Sequence, residues 1–136
     1  MVIVWRRRDR VARRGIASRD DHRGANLRCR RLVDMDLRHK DLSGADLEWA
    51  DLTEADLRGT RLRSANLHGA YLTGARLDGA DLTDARLDDT FLIATEFGNA
   101  NLTGVSLDRA IWDDATAWPP GFKPPRSKAA RWHGAP

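Results

Sequence analysis

Carboxylates are the side chains of this sequence that have the most regular spacing, and they are the first candidates for chemistry. Asp returns at every fifth position in one run, namely Asp36, Asp41, Asp46, Asp51 and Asp56. Two carboxylates can act as general acid and base, but only in a concave site that excludes water and shifts their pKa values. A uniform spacing of five does not by itself create such a site. It favours either an anionic binding surface or hydrogen bonds from each Asp to a neighbouring turn.

No other pattern indicates catalysis or metal binding. The four histidines lack the spacing of metal ligands, and Cys29 is the single cysteine. Neither a phosphate-binding loop nor a nucleophile elbow is present in the sequence. We therefore predict that the protein is not an enzyme and uses no cofactor or metal. The lone cysteine and the lack of a long apolar run favour a cytoplasmic location.

The Asp spacing is part of a longer repeat that organises residues 25–114. A large apolar residue returns at every fifth position from Leu27 to Trp112, and the residue two places before it is usually Ala. On an α-helix, such residues would step by about 140° and form no common face, and on a strand they would alternate between faces. The chain must therefore turn once per pentad and bury its core by stacking coils. The repeat predicts a solenoid of eighteen pentads.

The run Ala-Asp-Leu-Glu-Trp, Ala-Asp-Leu-Thr-Glu, Ala-Asp-Leu-Arg-Gly at residues 45–59 closely resembles the pentapeptide-repeat family, whose unit is Ala-(Asp/Asn)-Leu-x-x. The resemblance implies an all-β solenoid, a right-handed quadrilateral parallel β-helix with four pentads per coil. Eighteen pentads would then make about 4.5 coils. The central residue of each pentad would point inward, giving a core ladder that includes Leu47, Leu52, Leu57, Leu62, Leu67, Leu72, Leu77, Leu82, Leu87 and Phe97.

Charge divides the chain into three segments. Residues 1–24 carry a net charge of +5, residues 25–114 carry −6, and residues 115–136 carry +4. We predict a basic N-terminal cap or arm over 1–24, with a short amphipathic helix as one form of it, and a β-helix over 25–118. A Pro-rich basic C-terminal cap and tail would follow over 119–136. Membrane or nucleic-acid contact by the basic ends, and descent from a longer membrane-anchored protein, are alternatives.

Both ends of the repeat depart from its pattern. Arg30, Met35 and Lys40 replace the small residue in the first coil, where we expect their long side chains to extend over the open end. At the other end, Ala117 continues the spacing of five and is predicted to be a pentad centre. The aromatic residues that follow it would cap the last coil.

One outward column is apolar. A coil of twenty residues places Arg31, Asp51, Tyr71, Phe91 and Ile111 above one another, and Ile93 lies beside them. We predict an exposed apolar patch formed by Tyr71, Phe91, Ile93 and Ile111, because apolar side chains on an otherwise polar rod usually mark a covered or bound surface. The occupant is either the chain's own tail or N-terminal segment, or a second copy or another partner.

These features predict a scaffold for protein–protein interaction with an unknown protein partner, which includes the option of a homodimer. The resemblance also implies an alternative, since one branch of the family resembles B-form DNA and modulates DNA gyrase, a type II topoisomerase. Under that alternative, the anionic surface of Asp36, Asp41, Asp46, Asp51 and Asp56 would be the site. The net charge of −6 and the interspersed arginines of the repeat argue against it.

Overall fold

The computed structural model describes residues 20–128. Residues 1–19, which are most of the predicted N-terminal cap, and the last eight residues lie outside this range. Within it, the backbone forms neither an α-helix nor a continuous strand of several residues. It consists of single parallel bridges separated by two-residue turns. The bridges run from Asp21↔Asp41 to Glu96↔Ala117, and all except the last join residues twenty apart. Four pentads therefore complete one coil, and each coil has four sides.

Each pentad follows one local rule. The amide of the residue three after the centre donates to the carbonyl of the centre, as from Ala50 to Leu47 (2.9 Å). The residue two after the centre has a φ between 54° and 70° from Gly24 to Arg109, with one exception. Such a turn, closed by an i to i+3 hydrogen bond with positive φ at its third residue, is typical of type II. Because the turn recurs every five residues, the chain is bent into a coil.

The exception is the turn after Phe97, where Gly98 instead of Asn99 has positive φ (51°). A Cβ on Gly98 would collide with the Asp78 carboxylate, which accepts a hydrogen bond from the Asn99 amide (3.2 Å). Glycine suits this position because its φ is positive and an added Cβ would meet the Asp78 carboxylate.

The core is a stack of leucines. Every residue of the predicted core ladder from Leu47 to Phe97 has no exposed surface. The small residue two places before each centre is also buried from Ala45 to Thr95. Three of these small residues are threonines, and their hydroxyls donate to core carbonyls, for example from Thr60 to Leu37 and from Thr95 to Leu72 (both 2.8 Å). Hydrogen bonding makes these polar groups compatible with burial.

The repeat geometry begins five residues before the predicted boundary at residue 25. Asp21 bridges Asp41, the His22 amide donates to the Asp41 carbonyl (2.7 Å), and Gly24 has the corner conformation. In the first coil, Met35 and Lys40 are buried, whereas Arg30 is half-buried. The Lys40 ammonium lies 3.6 Å from the Asp20 carboxylate, which gives the buried side chain a charged partner.

The prediction for Ala117 is wrong by one residue. Ala117 bridges Glu96, twenty-one residues earlier, so it points outward and Trp118 is the pentad centre. The Trp118 ring stacks on Phe97, with centroids 4.7 Å apart and planes 7° apart. Thr116 takes the buried small position and donates to the Leu92 carbonyl (2.8 Å). An extra residue in the turn at 113–115 produces the shift, which brings an indole instead of a methyl group onto the core.

The chain then caps its own end. Phe122 and Trp112 both contact the Trp118 ring, at centroid distances of 5.3 and 5.8 Å. The Ser127 hydroxyl accepts from the Trp112 amide and donates to the Trp112 carbonyl. These contacts satisfy backbone groups that another coil would otherwise bind, so they limit the stacking of further strands on this edge.

Candidate interaction surface

The predicted outward column is present on one side of the rod. Parallel bridges join Arg31 to Asp51, Asp51 to Tyr71, Tyr71 to Phe91 and Phe91 to Ile111. We call this side, which contains the centres Leu52, Leu72 and Leu92, the aromatic side. The rings of Tyr71 and Phe91 stack with centroids 4.6 Å apart and planes 3° apart. The side therefore presents a continuous ring surface across two coils.

The apolar patch of Tyr71, Phe91, Ile93 and Ile111 is unevenly exposed. Tyr71 keeps 41% of its surface in contact with solvent, whereas the other three members are half-buried. Phe91 is half-buried because its ring is sandwiched within the column, between Tyr71 below and Ile111 above. The lower end of the patch is thus its most exposed part.

Trp49 enlarges this surface and was not predicted to do so. It occupies the corner that leads into the aromatic side, and 43% of its surface is exposed. A Cβ on Gly69, one coil above, would collide with the Trp49 ring, so the indole lies over Gly69. Gly69 precedes Tyr71 by two residues. The two large apolar residues that are exposed among residues 20–128, Trp49 and Tyr71, therefore border the same corner.

The spacing of Trp49 and Gly69 was the sequence signal for this arrangement. They are twenty residues apart, which is one coil, and only a residue without a side chain leaves room for an indole above the corner. The His68 ring meets Trp49 edge to face at a centroid distance of 5.4 Å. His68 and Gly69 together fix the position of the indole.

Acidic groups surround the patch. Asp51 lies one coil below Tyr71 in the column, and Asp113 follows Trp112 at the top of the same side. Glu54 and Asp89 lie at its two corners. Asp89 binds Arg109 through two hydrogen bonds of 2.7 and 2.9 Å, and this contact lowers the pKa of Asp89. The aromatic side is therefore an apolar strip with anionic edges.

The five aspartates predicted as an anionic surface lie on successive sides of the rod, as a coil of four pentads implies. Asp36 bridges Asp56, whereas Asp41, Asp46 and Asp51 belong to the other three sides. Each of them uses Oδ1 to accept the backbone amide two residues later, at 3.0–3.2 Å. This bond holds the entry to the turn. The recurrence of Asp at this position thus has a local structural cause.

Arginines neutralise much of this negative charge. Arg38 and Arg58 each bind the Asp two residues earlier through Nε and Nη2, at 2.6–2.9 Å. These side-chain hydrogen bonds hold the pKa values of Asp36 and Asp56 below the usual range. Arg28 contacts Asp46 and Glu48 on another side. The carboxylates of Asp36 and Asp56 therefore stay ionised and paired, which makes them poor proton donors near neutral pH.

The described residues contain no group of three or more potential metal ligands. Nor does any helix among them have the length and apolarity that crossing a membrane requires. An open hollow near the first coil is lined by Asp36, Arg38, His39 and Lys40. It lacks the enclosure that acid–base chemistry needs, and its one carboxylate is bound to Arg38.

Comparison with known proteins agrees with this architecture. A family model described as pentapeptide repeats matches residues 41–79 and 75–111, with eight copies. A search of curated proteins gives no significant match. Among solved structures, the chain is 36% identical to the pentapeptide repeat protein Rfr23 from the cyanobacterium Cyanothece 51142, with a TM-score of 0.54. That match covers 72% of this chain and 63% of Rfr23, so the chain spans less than two thirds of its relative.

Two other solved structures illustrate the range of similarity. The pentapeptide repeat protein alr5209 from Nostoc PCC 7120 is 34% identical, with a TM-score of 0.42, over 85% of this chain and 86% of that protein. The plasmid-mediated fluoroquinolone resistance protein QnrB1 is 19% identical, with a TM-score of 0.33, over 68% of this chain and 58% of that protein.

Proposed function

Because this chain belongs to the pentapeptide-repeat family, we propose that it is a non-enzymatic scaffold that binds another protein through its aromatic side. The observation that carries this proposal is the stack of Tyr71 on Phe91, bordered by the exposed indole of Trp49. Aromatic residues are the usual anchors of protein interfaces because they bury large areas with little loss of side-chain entropy. The other three sides carry mostly charged, amide and hydroxyl side chains at the equivalent positions.

The edges of the patch specify the chemistry of the partner. Asp51, Glu54, Asp89 and Asp113 surround the apolar strip, and Arg109 is the cation among the nearby corner residues and is paired with Asp89. A segment with an apolar or aromatic residue between Lys or Arg residues would satisfy both features. Its cations would meet the carboxylates, and its apolar residue would cover the Tyr71 ring.

A selection from a random peptide library displayed on phage tests this proposal. The full-length chain should enrich sequences in which an aromatic or large aliphatic residue is flanked by Lys or Arg. Phe91→Asp should abolish binding of the enriched peptides, because it places a charge in the centre of the patch. Asn101→Asp is the matched control, since Asn101 occupies the same pentad position on the opposite side. Loss of binding with both variants, or with neither, would refute the proposal.

The same variants also test whether the partner is a second copy of this chain, bound through the aromatic side. Light scattering would then give twice the chain mass, and Phe91→Asp would return the mass to that of a monomer while Asn101→Asp would not. In that case the aromatic side is still the interface, and the partner is a second copy of this chain. We also propose a cytoplasmic location, on the basis of the single cysteine.

The alternative, mimicry of DNA toward a type II topoisomerase, has weaker support. A right-handed quadrilateral β-helix of about 4.5 coils is roughly 22 Å tall. Duplex DNA of that length carries about 13 negative charges. The repeat carries a net −6, and arginines bind its carboxylates on several sides. We therefore expect no inhibition of gyrase supercoiling and no protection from quinolones by the full-length chain.

A further inference from the structure

The last described residues of the chain lie against the top of the aromatic side. The Trp112 indole Nε1 donates to the Pro125 carbonyl (3.1 Å), and the Ser127 hydroxyl bridges the Trp112 amide and carbonyl. The Lys128 amide donates to the Ala110 carbonyl (3.1 Å). Residues 125–128 thus cross the top of this side from Trp112 toward Ala110, opposite in direction to the coil.

The bond made by Lys128 continues a ladder. On the same column, the amides of Asp51, Tyr71, Phe91 and Ile111 donate to the carbonyls of Arg30, Ala50, Ala70 and Thr90. Lys128 therefore takes the next rung, directly above Ile111. Residues 129–136 begin at this point, one coil step from the upper end of the apolar patch.

The length of this segment matches the length of the patch. Successive coils are about 4.8 Å apart, so Phe91 and Tyr71 lie about 10 and 14 Å below the rung of Lys128. Trp132 follows Lys128 by four residues, which span up to about 13 Å when extended. An extended segment that turns down the rod brings the Trp132 indole to the level of the Tyr71–Phe91 stack.

The chemistry of the segment also matches the patch. Residues 128–133 read Lys-Ala-Ala-Arg-Trp-His, which places one aromatic residue between basic residues. The aromatic side offers stacked rings bordered by carboxylates. The charge of Lys128 contributes to the lowered pKa of Asp89 at the corner, after the larger effects of Arg109 and His68. This is the chemistry that we assigned above to the external partner.

We propose that residues 129–136 fold down the aromatic side, where Trp132 covers the patch and acts as an internal ligand that an external partner must displace. The proposal rests on the proposed function in so far as the patch is a binding surface. The N-terminal segment fits less well, because Asp20 lies before the centre His22, on the opposite side and at the opposite end of the rod.

Paramagnetic broadening in the full-length chain tests this contact. Cys29 is the single cysteine, so a Cys29→Ser, Ala135→Cys chain carries one nitroxide label close to Trp132. Isotope labelling of Ile and Val methyl groups provides probes in the patch, Ile93 and Ile111, and a control, Val105, which belongs to another side. We expect loss of the Ile93 and Ile111 signals with Val105 retained. Uniform intensity at the three methyl groups would overturn the proposal.

The Trp132→Ala substitution in the labelled chain tests whether the indole of Trp132 holds the segment against the patch. It should restore the Ile93 and Ile111 signals, and unchanged broadening would show that Trp132 does not hold the segment. An equal mixture of isotope-labelled chain without nitroxide and nitroxide-labelled chain without isotope should show no broadening. Broadening in that mixture would overturn the internal contact in favour of exchange of tails between copies.

Peptide binding distinguishes failure of this inference from failure of the proposed function. If the tail covers the patch about nine-tenths of the time, Trp132→Ala should raise the affinity for an enriched basic-aromatic peptide about tenfold. If the parent chain and the Trp132→Ala chain bind the peptide with equal affinity, and Phe91→Asp abolishes that binding, the tail is not an internal ligand. The proposed scaffold function would still hold. If neither the parent chain nor the Trp132→Ala chain binds the peptide, the aromatic side is not a binding surface and the proposed function fails.

Discussion

The Trp49 indole rests on the backbone of Gly69, one coil further along the chain, and leaves no space for a Cβ at that corner. This relationship links an exposed aromatic residue to a glycine that the repeat does not otherwise require, because ten non-glycine residues adopt the same positive φ. The packing of the Trp49 indole, and not the turn conformation, therefore accounts for glycine at position 69. It keeps Trp49 close to the rod and beside Tyr71.

The first prediction compares two glycines. Gly79 has the same conformation as Gly69 (φ 69° and 65°), but a Cβ on it would meet nothing within 4 Å. Gly79→Ala should lower the free energy of unfolding by about 1 kcal/mol, the cost of a side chain at positive φ. Gly69→Ala should cost about 1–3 kcal/mol more, because it must also displace the indole. Urea unfolding monitored by tryptophan fluorescence measures both values.

Trp49→Ala provides the control for that comparison. In its background, the indole is gone, and Gly69→Ala should cost no more than Gly79→Ala does. If the excess cost persists without Trp49, the clash between the ring and the corner does not explain it.

The second prediction concerns the cap. Trp118→Ala should lower the free energy of unfolding by about 3 kcal/mol, since it removes the ring that covers Phe97 and contacts Trp112 and Phe122. Phe122→Ala removes only the outer ring of this cluster and should cost less. The urea midpoint at constant slope measures both effects. Equal costs for the two substitutions would mean that Trp118 does not act as a core residue.

The third prediction is a coupling energy between Tyr71 and Phe91. Stacked aromatic pairs contribute about 0.5–1.5 kcal/mol beyond their buried area, so a double-mutant cycle with alanine should give a value in that range. Tyr71→Ala combined with Asn101→Ala, on opposite sides of the rod, should be additive. A cycle with no coupling would show that the two rings do not stack in solution.

The fourth prediction concerns acid. Hydrogen bonds from Arg23 lower the pKa of Asp21 to about 2 from 3.8, and those from Arg38 and Arg58 lower the pKa values of Asp36 and Asp56. A lowered pKa in the folded state means that the stabilisation is complete above the unfolded pKa near 4. It is lost as the pH falls toward the folded value. The thermal midpoint should therefore decrease between about pH 4 and pH 2.

The double variant Asp36→Asn, Asp56→Asn identifies the groups responsible. Asn keeps the Oδ1 acceptor for the turn amides but loses the charge, so the variant should be less stable at neutral pH and should lose less on acidification. Arg38→Gln with Arg58→Gln should behave in the same way, because it removes the donors. If the thermal midpoint of the variants falls with pH in parallel with that of the parent chain, other carboxylates cause the loss of stability in acid.

The sequence predicts the core well, and the reason is geometric. A period of five is incompatible with a helix or a flat strand, so the small set of remaining conformations places Leu47, Leu67 and the other centres inside. The shift at Thr116 could not be predicted in this way, since Ala117 continues the spacing of five. It is decided by two tertiary contacts, the stack of Trp118 on Phe97 and the bond from Thr116 to Leu92.

The column of the aromatic side is predictable once the family resemblance supplies four pentads per coil. A coil of twenty residues is enough to place Tyr71, Phe91 and Ile111 above one another. Trp49 was not predicted as part of this surface, although the same coil length places Gly69 above it, because a corner position indicates exposure but not direction. The direction of its indole depends on the absence of a side chain at Gly69, which matters only once the two coils are aligned. For the aspartates the spacing leaves two interpretations open, and the bonds from Oδ1 to the turn amides favour the local one.

The last bridge, from Glu96 to Ala117, shows that the rod tolerates one added residue at its end, whereas the bridges below it all keep the spacing of twenty. Every side repeats after four pentads, so the gain or loss of a single pentad within the rod would leave the leucine core intact while rotating everything above it by a quarter turn. Ile111 would then leave the column of Tyr71. Insertions and deletions of one pentad can thus change the length of such a rod during evolution without disrupting its core. A surface that spans several coils is preserved only when the change is a multiple of twenty residues.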